Sequence, residues 1–209
     1  MTLETPAARA RTAGDRGIPL SPAQQAALAP ERLGRSAAAN LFTALEFPAA
    51  CAPSVVERAA VLSARHEILR TVYPDDRRAP YGRVESDSTV AVEVVEIGET
   101  GLAAAIMADA GHRFDTVRQP PIRLRLYRLG AKAVLSVALH PVAGDDRSLE
   151  LLVAELFSDA PAVSVRQYRE FAAEQTKQLA AAGESLAYWT QRLTGLPEQL
   201  LRAGERPES

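Results

Sequence analysis

One histidine and two aspartates lie close together in the sequence, at the point where a buried strand is predicted to end. His140 follows an apolar run from Ala133 to Leu139, and Asp145 and Asp146 come shortly after it. Histidine is the side chain used most often as a general base, and an acidic residue at the start of a helix caps that helix. A strand that delivers a histidine to a loop commonly positions a functional site.

Two predicted strands and one predicted helix hold this group of residues. Residues 122–127 (Ile-Arg-Leu-Arg-Leu-Tyr) alternate apolar and polar side chains, which predicts a half-buried strand with its apolar residues inward. The Arg-Leu-Gly sequence at 128–130 connects this strand to the one ending at His140, so the two are predicted to form a hairpin. Residues 148–157, after the acidic turn, predict a helix.

Three capping-box patterns predict helix starts elsewhere. They begin at Ser21, Ser54 and Ser164, each followed three residues later by glutamine or glutamate. The helices they open are expected to reach about residue 28, about residue 70 and residue 179, respectively. The other predicted elements are a strand over 40–47, a strand pair over 81–85 and 90–97, and helices over 101–112 and 184–193.

The composition excludes several classes of function. A net charge of −2 gives no basic footprint for nucleic acid, and no apolar run is long enough to span a bilayer. The single cysteine, Cys51, excludes an internal disulfide and is interpreted as a buried or incidental thiol. No two histidines have metal-ligand spacing and no phosphate-binding glycine loop is present, so neither a metal nor a cofactor is expected. We expect a cytoplasmic protein with a mobile tail over residues 1–17.

Four short stretches carry recognisable patterns, at residues 21–24 (Ser-Pro-Ala-Gln), 65–71 (Arg-His-Glu-Ile-Leu-Arg-Thr), 140–146 (His-Pro-Val-Ala-Gly-Asp-Asp) and 168–175 (Tyr-Arg-Glu-Phe-Ala-Ala-Glu-Gln). In type and order they resemble the four motifs of the condensation domains of nonribosomal peptide synthetases. The stretch at 65–71 matches the family motif Arg-His-Glu-x-Leu-Arg-Thr at every defined position. The stretch at 140–146 matches the active-site motif His-His-x-x-x-Asp-Gly only in part.

The resemblance implies a fold and an extent. The expected fold is α/β, a chloramphenicol-acetyltransferase-like two-layer sandwich with a mixed, mostly antiparallel sheet and helices on one side. Residues 18–207 would form a single domain equivalent to the N-terminal lobe of a condensation domain. The chain ends about where the two lobes of such a domain would join, so we expect either a natural half-domain or a truncated one.

The partial motif implies that the family's catalytic group is missing. In the family, the second histidine of the motif lies beside the attacking amine, and this chain has Pro141 there. Proline has neither an ionisable group nor an N–H, and loss of a general base typically lowers a rate by about 10²–10⁴. Asp146 also replaces the motif's glycine. No catalytic residue is therefore expected in the motif formed by His140, Pro141, Asp145 and Asp146.

The sequence leaves two possible roles open for each of two residues in this motif, His140 and Asp145. His140 is either a hydrogen-bonded core histidine or a displaced catalytic base. The resemblance implies that Asp145 forms a structural ion pair with Arg65 or Arg70, and the alternative makes it a helix cap.

Two functions from different classes follow. The first is a catalytically inactive condensation-like half-domain that acts as an interaction or recruitment module in nonribosomal peptide biosynthesis. Its partners would be a carrier protein, a synthetase module or a tailoring enzyme, with self-association or a separate C-terminal lobe as further possibilities. The alternative is a small acyltransferase of the same fold that uses His140 in an oligomeric site.

Overall fold

The computed structural model describes residues 17–34, 39–77, 79–86, 90–158 and 164–196. The chain divides into two compact units, Met1–Ala173 and Glu174–Ser209. The predicted mobile tail lies outside the described residues apart from Gly17. The single domain predicted over residues 18–207 stays a prediction.

The described part of the chain contains seven strands and six helices. In chain order they are β1 (Ile18–Pro19), α1 (Pro22–Arg32), β2 (Leu41–Pro48), α2 (Ala52–Arg65), β3 (Thr71–Val72), β4 (Tyr81–Val84), β5 (Val92–Glu96), α3 (Glu99–Ala110), β6 (Ile122–Leu129), β7 (Lys132–Leu139), α4 (Asp146–Phe157), α5 (Tyr168–Ala180) and α6 (Gly183–Leu193).

A four-stranded sheet in the order β2-β7-β6-β5 forms the centre of the first unit. The predicted hairpin is confirmed, because β6 and β7 pair antiparallel around Gly130, which has a φ of 62°. β2 pairs antiparallel with the other side of β7, whereas β5 pairs parallel with β6. A second, small sheet has the order β1-β4-β3.

The two faces of the large sheet are covered differently. Apolar residues of α2 and α4 pack against inward residues of β6 and β7, among them Leu126 and Leu135. On the other face, the buried Asp109 of α3 accepts hydrogen bonds from Tyr127 of β6 and Ser136 of β7. The predicted α/β sandwich with a mixed, mostly antiparallel sheet is confirmed. The detail that differs is α3, which adds a helix to the opposite face.

The predicted strand pair over 81–85 and 90–97 is wrong. β4 pairs with β1 and β3 in the small sheet, and β5 pairs with β6 in the large one. The parallel β5–β6 pair requires a crossover, which α3 supplies between the two strands.

Only one of the three capping boxes forms. Ser21 accepts from the backbone N–H of Gln24, whose side chain accepts from the Ser21 N–H, and the helix runs on to Arg32. The helix start predicted at Ser54 is wrong, because a 3₁₀ turn at Ala49–Cys51 leads into α2, which already begins at Ala52. α2 also ends earlier than predicted, at Arg65, and a second 3₁₀ turn covers Glu67–Arg70.

The helix start predicted at Ser164 is wrong because of contacts with a distant part of the chain. α5 begins only at Tyr168, and the side chain of Gln167 is used elsewhere. Its Oε1 accepts from the backbone N–H of Glu67 at 3.0 Å, and its Nε2 donates to the Arg65 carbonyl at 2.9 Å. Gln167 therefore binds backbone groups left free where α2 ends.

Candidate functional site

His140 lies directly after β7 and is almost completely buried, with 1% of its surface exposed. Its backbone N–H donates to the Pro121 carbonyl at 2.8 Å. Its Nε2 lies 2.9 Å from Oε1 of Glu31, and its Nδ1 accepts from the backbone N–H of Val142 at 3.1 Å. Because Nδ1 accepts a hydrogen bond it carries no proton, so the hydrogen on Nε2 is donated to Glu31 and the ring is neutral.

This geometry bears on what His140 can do. Both ring nitrogens have partners within the protein, and the ring is closed off from solvent. A general base needs a free lone pair within reach of the proton that it removes. The arrangement is that of a hydrogen-bonded core histidine, joining the end of β7 to α1.

The loop after His140 borders a cleft of about 160 Å³. Pro141 lines this cleft, so the position that the family motif gives to its second histidine faces open space. The other lining residues are Ala23, Gln24, Ile68, Val142, Ala143, Gly144, Asp145, Ser148 and Tyr168. The Tyr168 hydroxyl is 2.9 Å from Oγ of Ser21 and so fixes one wall to the start of α1.

Asp145 caps α4. One of its carboxylate oxygens accepts from the Ser148 backbone N–H at 2.8 Å and from the Ser148 hydroxyl at 2.7 Å. These hydrogen bonds, first the one from the side chain, lower the pKa of Asp145. Asp146 follows as an exposed residue in the first turn of α4.

Gly144 permits the close approach that this cap needs. A Cβ added at Gly144 would lie 2.5 Å from Cβ of Ser148, which is far inside van der Waals contact. The motif residue before Asp145 therefore has to be a glycine in this structure.

The predicted ion pair of Asp145 is not formed, and the alternative role as a cap is the one observed. Arg65 instead donates from Nη1 to Oε2 of Glu155 on α4 at 3.0 Å. Arg70 donates to the backbone carbonyl of Glu85 at 3.1 Å. Among the described residues, no ion pair joins Asp145 to either arginine. The physical reason is that Glu155 supplies Arg65 with a carboxylate while Asp145 is held by Ser148.

The other two histidines also have partners within the fold. His66 caps the C-terminal end of α2, and its Nε2 lies 3.0 Å from Glu155. The ring of His112 packs edge-on against Phe114, with centroids 4.7 Å apart. Burial, and then the nearby Arg123, lower the pKa of His112, which favours its neutral form.

Sequence reasoning missed Glu31, which no local pattern singles out. It is separated from His140 by 109 residues along the chain, and only the fold brings the two together. Of the two alternatives given for Cys51, a buried or an incidental thiol, the first is wrong because Cys51 is exposed. Within the described ranges, no cluster of three or more histidine, cysteine or acidic residues could hold a metal ion, and no helix has the length and apolar character needed to cross a membrane.

Most of this chain aligns with short parts of peptide synthetases. It is 31% identical over 162 residues to cyclosporin synthetase simA of Tolypocladium inflatum, an alignment covering 72% of this chain and 1% of that one. It is 30% identical over 175 residues to phosphinothricin tripeptide synthetase PhsC of Streptomyces viridochromogenes, covering 74% of this chain and 16% of that one. The chain therefore spans only a small part of the curated relatives it matches.

Solved structures share the fold. The X-domain in its complex with OxyB from teicoplanin biosynthesis superposes with a TM-score of 0.78 at 22% identity, covering 99% of this chain and 49% of that one. The condensation domain of the Monacolin K polyketide synthase MokA gives a TM-score of 0.74 at 20% identity, covering 88% and 44%. The sequence model of the condensation domain matches residues 15–209. With the motifs, the sheet order and these matches together, the chain belongs to the condensation-domain family.

Proposed function

We propose that this chain is a catalytically inactive condensation-like module that recruits other proteins in nonribosomal peptide biosynthesis. Its partners are a carrier protein, a synthetase module or a tailoring enzyme of the same pathway. The observation that carries the proposal is the pair of neighbouring residues His140 and Pro141. The first has both nitrogens engaged within the fold, and the second offers the cleft no group that can accept a proton.

The structural relatives support a recruiting role. One of the solved chains with this fold is an X-domain in complex with OxyB. A fold of this kind can therefore serve as a binding partner for another protein, and here the cleft has Pro141 where the family motif has its second histidine. The proposed module uses the fold as a docking scaffold.

Exposed apolar side chains in the second compact unit support an interaction role as well. Six large apolar residues between positions 179 and 196 are at least half exposed: Leu179, Leu186, Tyr188, Trp189, Leu193 and Leu196. No residue of α6 is buried. Large exposed apolar patches commonly mark protein–protein contacts.

The alternative, a small acyltransferase with His140 as its base, has the geometry of His140 against it. Such a base would need to break its hydrogen bond with either Glu31 or Val142 and to gain access to solvent or substrate. Of the cleft residues, Pro141 has no group that accepts a proton, and the carboxylate of Asp145 accepts hydrogen bonds from Ser148 in the helix cap.

The proposal is tested by binding measured on the full-length chain. Carrier proteins and tailoring enzymes encoded beside it are titrated against the immobilised chain by biolayer interferometry, and we expect one of them to bind with one-to-one stoichiometry. The Trp189→Glu variant is expected to weaken this binding by about tenfold or more, as substitution of a buried aromatic anchor does.

The matched control is Met107→Glu, which places the same charge at another exposed apolar position, on α3. It is expected to bind like the wild type. Absence of binding to every pathway protein, or equal loss in both variants, would contradict the recruiting role. Turnover of acyl thioesters by the purified chain would contradict the proposed inactivity.

A further inference from the structure

A pocket of about 340 Å³ lies between the end of α1 and the loop that follows α3. Glu31 and Gly34 form one side, and residues 113–117 form the other. Gly34 turns the chain away from α1 with a φ of 68°, a conformation that favours glycine. The pocket is distinct from the cleft at Pro141, which shares none of these lining residues.

Glu31 brings a negative charge to this pocket. Its side chain is 22% exposed, and its carboxylate accepts from Nε2 of His140 at 2.9 Å and from the Thr116 hydroxyl at 3.4 Å. Neither donor is a cation, because the Nδ1 of His140 accepts from Val142 and the ring is neutral. Among the described residues, the charge of Glu31 therefore has no cationic partner.

Arg113 brings the opposite charge to the same pocket. It is exposed, and within the described ranges it has neither an ion pair nor a hydrogen-bond partner for its guanidinium. The nearest acid in sequence, Asp115, pairs with Arg118 at 3.0 Å instead. Glu31 and Arg113 thus line one pocket without pairing with each other, and the third charged lining residue, Asp115, is neutralised by Arg118.

We propose that this pocket binds a free α-amino acid with an apolar side chain. The ligand's carboxylate pairs with Arg113, whose planar guanidinium can bind it through two parallel hydrogen bonds. The ligand's ammonium group donates to Glu31 beside the ring of Phe114, which adds a cation–π contribution. Phe114 and Val117 provide the apolar wall for the side chain, and a volume of about 340 Å³ is within the usual range for small-ligand sites.

The charge pattern makes the site selective for the zwitterion. An amino acid whose carboxyl group is converted to an amide or ester has no carboxylate to pair with Arg113. One that is acylated on nitrogen has no ammonium group to pair with Glu31. The site goes beyond the proposed recruiting function and does not depend on it, since its residues lie outside the cleft and outside α6.

The test is a ligand series measured on the full-length chain by isothermal titration calorimetry at neutral pH. L-leucine, N-acetyl-L-leucine and L-leucinamide share a side chain and differ in one charged group each. We expect L-leucine to bind in the millimolar range or tighter, and each derivative to bind about tenfold more weakly or worse, as loss of a charge-assisted hydrogen bond predicts. Equal binding of either derivative would overturn the assignment, and so would the absence of any L-leucine binding.

Variants test the same assignment from the protein side. Arg113→Gln and Glu31→Gln are each expected to weaken L-leucine binding about tenfold or more. Arg147→Gln, which removes an equal charge from the exposed face of α4, is expected to bind like the wild type. Retained affinity in Arg113→Gln would overturn the proposal. Glu31 also accepts a hydrogen bond from His140, so Glu31→Gln could unfold the protein. Its binding result is used only if circular dichroism shows that the variant is folded. If it is not folded, the ligand series alone tests the proposal.

Discussion

Glu31 in the last turn of α1 accepts a hydrogen bond at 2.9 Å from Nε2 of His140, the first residue of the family's active-site motif. The second ring nitrogen accepts from Val142, two residues further along the loop. The imidazole therefore joins α1, the end of β7 and the loop that borders the cleft. We infer that His140 has a structural role in a site where Pro141 stands at the position of the motif's second histidine.

The first prediction concerns this pair. His140→Ala is expected to lower the free energy of unfolding by about 2–4 kcal/mol, because it leaves a cavity and two unpaired polar partners in a buried place. In a double-mutant cycle with Glu31→Ala, a coupling energy of about 1–3 kcal/mol is expected from urea denaturation. Additive effects of the two substitutions would show that the hydrogen bond contributes nothing to stability.

The second prediction separates the two roles considered for Asp145. As a helix cap, Asp145→Ala is expected to cost about 1 kcal/mol of unfolding free energy. Its effect adds to that of Arg65→Ala, because the two side chains have different partners. Arg65→Ala and Glu155→Ala, by contrast, are expected to be coupled by roughly 0.5–1 kcal/mol. Coupling between Asp145 and Arg65 in thermal or urea unfolding would instead support the ion pair implied by the family resemblance.

The cap also has a predicted pH dependence. The pKa of Asp145 is lowered in the folded protein, so its contribution is present above the ordinary aspartate value and is lost as the pH falls through the lowered one. The difference in stability between wild type and Asp145→Ala should therefore shrink in acid.

The third prediction concerns two glycines. Gly144→Ala is expected to destabilise the fold by about 1–3 kcal/mol, because its Cβ would lie 2.5 Å from Cβ of Ser148. Gly183→Ala, at the start of α6, meets no atom within 4 Å and is expected to be neutral or slightly stabilising. Differential scanning calorimetry of the two variants compares them directly. Equal melting temperatures would show that the loop adjusts freely around the cap.

The fourth prediction concerns the face of the sheet covered by α3. Burial and a hydrogen bond to Asp109 raise the pKa of Tyr127 above its ordinary value of 10.0. The folded state therefore favours the neutral phenol. The contribution of Tyr127 to the free energy of unfolding is complete below pH 10.0 and is lost as the pH rises through the raised pKa. Stability above that pH is expected to fall more steeply in the wild type than in Tyr127→Phe. Tyr188→Phe, on the exposed α6, should follow the wild type, and identical curves for all three proteins would contradict the prediction.

Local sequence patterns predicted those features that depend on neighbouring residues. The alternation in β6, the glycine turn at Gly130 and the capping box at Ser21 each involve contacts within a few positions, and all three are confirmed. The box at Ser164 failed because Gln167 binds Glu67 and Arg65, about a hundred residues away in sequence. A capping pattern shows what a side chain is able to bind, whereas the fold decides which partner it reaches.

The candidate site shows the same division. The sequence located His140, Pro141 and the acidic helix start, since the motif is continuous. It could not locate Glu31, whose only link to His140 is the packing of α1 against the end of β7. The family resemblance implied an arginine partner for Asp145, with a helix cap as the alternative. Arg65 pairs with Glu155 instead, and the choice between two acids on one helix depends on side-chain distances.

The most direct test of the central claim is a single-turnover assay with the purified full-length chain and carrier proteins loaded with donor and acceptor aminoacyl groups. Peptide formation is followed by mass spectrometry for the wild type and for His140→Gln. We predict that neither protein forms peptide above the rate seen without protein. Peptide formation that is present in the wild type and lost in His140→Gln would show that His140 is a catalytic base and would contradict the account.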